Sequence, residues 1–178
     1  MAVSAAEAFH AWHDFYLLIG AASATLVGAM FVVASIGSNM LTPRHEPAIR
    51  AFLTPTVIHL STIMIAGALA MIPSLDWPVL GIAFGGGGVG GLVYSFLVGW
   101  RVVRRNHVAR VDHVWYAVLP IVSYAVIVGA ALTILLHATP NLEALAGGIL
   151  LLLIAGIRNA WDMIIFFASR DSTDGSSS

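Results

Sequence analysis

Five long apolar runs constrain this chain more than anything else in it: residues 15–36, 51–72, 79–100, 114–136 and 145–168. Crossing ~30 Å of hydrocarbon at ~1.5 Å per residue takes roughly 20 apolar residues, which each run supplies. The first four contain no Asp, Glu, Lys or Arg. Continuous apolarity selects helices over alternating strands, and an odd number of spans does not suit a bacterial barrel. The expected fold is therefore all-α: a polytopic membrane protein with five transmembrane helices. Composition points the same way, since 59% of the 178 residues are hydrophobic and 10% charged. That is too little charge to coat a water-soluble domain.

Pro43 and Pro47, Pro73 and Pro78, and Pro140 with Asn141 punctuate the connections. Residues 1–14 read as an interfacial N-terminal segment, 15–168 as the transmembrane domain, and 169–178, which end in Asp174, Gly175 and serines, as a disordered tail. No Lys or Arg precedes the first run, which is long enough to be a span and not a signal peptide. Arg44, Arg50, Arg101, Arg104, Arg105, Arg110 and Arg170 lie outside the runs, and alternation of five spans puts all of them on one face. The positive-inside rule makes that face cytoplasmic, with the N-terminus outside and the C-terminus inside. The lipid bilayer is the expected partner. A net charge of −1 argues against nucleic acid, and the absence of cysteine removes disulfides and thiolate metal sites.

The fifth run holds the exception, Arg158 and Asp162, four residues apart on one helix face. Each charge at the bilayer centre costs ~2.5 to 3.5 kcal/mol, so the two must be paired or wet. Either a structural ion pair or the wall of a polar pathway would serve. Counting from the cytoplasmic ends at ~1.5 Å per residue puts Asp162 ~9 Å deep, His59 ~12 Å and Arg158 ~15 Å. Asn159, Tyr94, Ser123, Tyr124 and Thr25 fall in or near the same slab. These groups are expected to turn inward as one polar layer, with His59 touching Asp162 or Arg158 directly or through water. His59 is either a hydrogen-bonded packing residue or a pH-sensitive group reached by water.

The third run is glycine-rich, and no Gly-Lys-Ser/Thr follows to make a phosphate loop. Gly81 and Gly85, Gly86 and Gly90, and Gly87 and Gly91 are each four apart, as are Gly20, Ala24 and Gly28 in the first run. Such spacing allows close backbone approach, on one face within the bundle and on another between subunits. Arg101, Arg104, Arg105 and Arg110 suit anionic lipid headgroups. His10 and His13, among Phe9, Trp12, Phe15 and Tyr16, read as part of an interfacial aromatic belt. A metal there would need a third ligand, for which Asp76 is a candidate. No cofactor is expected.

The aromatic-His-Asp-Phe entry, Leu26-Val27-Gly28 with Phe31, Val32 and Ser35, and the Arg158-Asn159-Ala160-Trp161-Asp162 signature resemble a family of small, uncharacterised bacterial multi-pass inner-membrane proteins. The resemblance covers about a quarter of the chain, mainly the first and last spans, and implies a bacterial inner-membrane location and no activity. Two functions remain open: an oligomeric channel-like or small transport protein with the Arg/Asp/His layer as its constriction, and a non-catalytic accessory or scaffold subunit of a larger membrane complex. No enzymatic role is expected, because no nucleophile with a base, no carboxylate pair and no complete metal set is present.

Overall fold

In the computed structural model the described residues are 4–36, 46–104, 117–136 and 140–174. They form six helices and no strand: α1 (Ala5–His10), α2 (His13–Ile36), α3 (Glu46–Ala70), α4 (Trp77–Arg104), α5 (Leu119–Leu135) and α6 (Leu142–Asp174). Four of them, α2, α3, α4 and α6, are long and apolar enough to cross a membrane, and α5 is a shorter apolar helix of 17 residues.

Sequence chemistry sets several of the ends. Ser4 caps α1 by accepting from the Glu7 amide, Asp76 accepts from the Val79 amide at the start of α4, and Asn141 accepts from the Ala144 amide at the start of α6. Pro120 stands in the first turn of α5, where its missing N–H costs nothing. Pro55 lies inside α3, one turn before His59.

The helices pack as an arc in which α2 lies along α3, α3 against α6, α6 along α5 and α5 along α4, with a looser contact between α3 and α4. α6 is the most buried of the long spans and α2 the least. Large apolar side chains such as Leu18, Phe31, Ile82, Phe96 and Trp161 face outward, as a lipid-facing surface requires. Where α3 and α4 part, an apolar groove of about 130 Å³ runs between Thr62, Ala66, Ala83 and Gly87 down to Ile127 and Ile149.

At the N-terminal end α1 folds back, and Phe9 and Tyr16 are buried, so these two rings pack within the bundle. Phe9 packs against Tyr16, Trp77 and Phe84 with ring centroids 5.4, 5.9 and 6.3 Å apart. At the other end α6 continues to Asp174, so residues 169–174 are helical and not the start of a disordered tail. Extending a formed helix needs only one more backbone bond per residue, a far smaller cost than nucleating one. Residues 175–178 lie outside the described residues.

Candidate functional site

Five glycines and a serine allow α4 to lie close along α5 and the turn before it. A Cβ on Gly81 would fall 2.8 Å from Leu135, on Gly88 2.9 Å from Val128, and on Gly99 2.9 Å from Ala117. A Cβ on Gly91 would fall within the ring of Tyr124. Gly85 is in ordinary contact with Ala131, and Ser95, buried, continues the same stripe. Gly86, Gly87 and Gly90 have nothing within 4 Å of an added Cβ and face away from this contact, as does Gly28 on α2. Gly20 instead meets Gly67 of α3, a partner that spacing within one run could not reveal. Gly88 and Gly99 were likewise hidden in a run with no apolar or polar asymmetry to mark a face.

The space beside Gly91 holds Tyr124 against His59. Both side chains are buried, with the rings 5.5 Å apart, and the Tyr94 ring stands edge-on 6.3 Å from His59. Hydrogen-bond directions define the chemistry of this group. Thr62 donates its hydroxyl proton to the Ile58 carbonyl at 2.9 Å, and the Tyr124 hydroxyl donates to Thr62 Oγ1 at 3.3 Å. A phenol has one proton, so the 3.0 Å contact between His59 Nδ1 and Tyr124 Oη must use the proton of the ring. His59 is thereby the Nδ1–H donor, and in the neutral ring Nε2 is left as an acceptor. The chain of bonds ends on a backbone carbonyl and orients His59.

This assignment carries a prediction. Thr62→Val removes the acceptor of the Tyr124 proton, which then turns to His59 Nδ1 and moves the ring proton to Nε2. Histidine 15N spectra should show the two His59 nitrogens exchanging character in Thr62→Val and keeping it in Thr62→Ser. An unchanged pattern in Thr62→Val would contradict the proton assignment.

On α6 the buried stripe runs through Leu145, Ile149, Leu152, Gly156, Asn159 and Met163. Gly156 packs on Leu60, where a Cβ would lie 2.8 Å from its side chain. One turn further along these antiparallel helices sets Asn159 at the level of Thr56 and His59. Asn159 is 1% exposed, and neither end of its amide has a hydrogen-bond partner among the described residues. The Ser95 hydroxyl is in the same condition. Arg158 and Asp162 form an ion pair with each other and sit on the flank of this stripe, with side chains 35% and 23% exposed.

The expected polar layer is thus only partly assembled. His59, Tyr94 and Tyr124 come together, and Thr62 joins them, a residue whose i, i+3 spacing from His59 was the available signal. Ser123 is buried but spends its hydroxyl on the Leu119 carbonyl. Thr25 is exposed and bonds the Ala21 carbonyl of its own helix, so α2 does not contribute it to the interior. A hydroxyl can satisfy itself on its own i−4 carbonyl, which removes the need to turn inward.

Arg101 and Arg104 belong to the last turn of α4, while Arg105 and Arg110 lie outside the described residues. His10 and His13 are exposed at the break between α1 and α2. Among the described residues no group of three or more His, Cys, Asp or Glu is placed to hold a metal. Compared with known protein families, curated proteins and solved structures, the chain matches none.

Proposed function

We propose that this is an integral protein of the bacterial inner membrane that conducts a small solute or ion through a hydrated polar interior, assembled as a homo-oligomer. The observation that carries this reading is the Asn159 amide, buried at hydrocarbon depth with both ends unpartnered by described protein groups. A carboxamide has two donors and an acceptor oxygen, and lipid satisfies none of them. Water beside Asn159 resolves the cost and makes the interior wet where a purely structural bundle would be dry. No enzymatic role forms part of the proposal.

The proposed topology has five spans, with the N-terminus outside and the C-terminus cytoplasmic. Its support is the contact of α5 and the turn before it with α4, which extends from Leu135 at Gly81 to Ala117 at Gly99. The 18 residue steps from Gly81 to Gly99 rise about 27 Å, close to the thickness of the hydrocarbon layer. α5 therefore has the reach of a span alongside α4. The seven flanking arginines then share the cytoplasmic face.

A second reading, an accessory or scaffold subunit of a larger membrane complex, is favoured by the open faces at Gly28, Gly86 and Gly90, which would accept a partner helix. Flux from liposomes, with proton, alkali-cation and anion readouts, separates the two. The conduit reading expects flux for the wild type and its loss in Asn159→Leu and Asp162→Asn without loss of folding. Asn159→Leu should be about as stable as the wild type, because a leucine of similar volume replaces an amide that makes no hydrogen bond to a described protein group. Absence of flux for every ion transfers the assignment to the scaffold.

A further inference from the structure

We propose that His10, His13 and Met71 form a binding site for Cu(I) at the end of the bundle that carries the N-terminus. The three residues line one pocket of about 120 Å³, together with Phe9, Pro73 and Leu75. They arrive from separate elements: His10 from the last turn of α1, His13 from the first residue of α2, and Met71 from just beyond the end of α3.

What brings them together is the burial of Phe9. Its ring is fixed among Tyr16, Trp77 and Phe84, which clamps α1 over the turn that follows α3. The two-residue break at Ala11 and Trp12 then sets His10 and His13 on the same pocket. Both histidines are exposed and Met71 is partly buried, so an ion can enter from solvent to a donor set that a packed aromatic core positions.

The donor chemistry selects the ion. Two neutral imidazoles and a thioether are a soft, uncharged set with no carboxylate, which suits Cu(I). Zn²⁺ prefers a fourth ligand and gains from anionic ones. Asp76, the carboxylate expected from the sequence to complete a site, accepts from the Val79 amide as the cap of α4. Met71, which carries no metal signal in the sequence, lines the pocket with the two histidines.

The site is independent of the proposed conduit and can be tested without any transport. The full chain in detergent, under reducing anaerobic conditions, is titrated with Cu(I) against a coloured Cu(I) chelator. The wild type should withdraw one Cu(I) per chain. Met71→Leu and His13→Ala should each weaken binding by about tenfold or more, and Asp76→Asn should bind as the wild type does. Met71→Leu conserves volume, so its metal-free melting temperature should be unchanged and its result decides even if His13→Ala misfolds. If the chelator keeps the copper, or if Met71→Leu withdraws it as well as the wild type, the proposal fails.

Discussion

Gly91→Ala is expected to destabilise the folded bundle by about 3 kcal/mol, the upper end of the range for overpacking a core. The added methyl would occupy the position of the Tyr124 ring, which is fully buried. Moving the ring breaks its bonds to His59 and Thr62. Gly90→Ala makes the comparison sharp. Its new methyl meets nothing within 4 Å, and alanine is about 1 kcal/mol better than glycine in a helix interior. Thermal unfolding in one detergent should therefore lower the midpoint for Gly91→Ala and leave or raise it for Gly90→Ala. Two neighbouring glycines of the same run should move stability in opposite directions, and equal effects would mean that α4 is rotated otherwise.

The second large effect is expected at the crossing of α2 and α3. A Cβ on Gly67 would lie 2.9 Å from the Tyr16 carbonyl oxygen and 3.2 Å from Gly20 Cα, both backbone atoms that no rotamer change can move. Gly67→Ala must separate the two helices, at about 2 kcal/mol by the same overpacking measure. α2 packs chiefly on α3, so the cost should appear as opening of α2 and not of the whole bundle. Hydrogen exchange should quicken over residues 13–36 and stay as it was in α5 and α6. The reciprocal change is milder: a Cβ on Gly20 comes only to 3.9 Å from Gly67 Cα, an ordinary contact. Gly20→Ala should be tolerated, and protection of α2 that is equal in both variants would refute the crossing.

These contrasts mark where sequence patterns lose resolution. The glycine run of α4 is uniform around the helix, so spacing marks pairs but carries no sign of which face meets a neighbour. The structure turns Gly81, Gly88 and Gly91 toward α5 and leaves Gly86 and Gly90 open. On α6 the charges of Arg158 and Asp162 stand out in a list of residues, yet they occupy the flank, and the uncharged Asn159 between them takes the buried position. Helix rotation decides this. The buried stripe through Ile149, Gly156 and Asn159 leaves the face of Arg158 at its border, where the pair is partly exposed. Thr25 illustrates the same limit, because depth along a helix says nothing about direction around it.

The helical character of the apolar segments was determined by the sequence alone, because hydrocarbon thickness and backbone hydrogen bonding leave a long uncharged run one stable form. So was the arginine asymmetry that underlies the proposed orientation. Only the tertiary structure decided which faces meet, because in a chain this apolar hydrophobicity no longer distinguishes inside from outside. That distinction falls to shape: Gly91 makes room for Tyr124, and Phe9 draws α1 onto the turn after α3. The hydrogen bonds of His59, Tyr124 and Thr62, the unpartnered amide of Asn159 and the pocket that His10, His13 and Met71 line all follow from those fits.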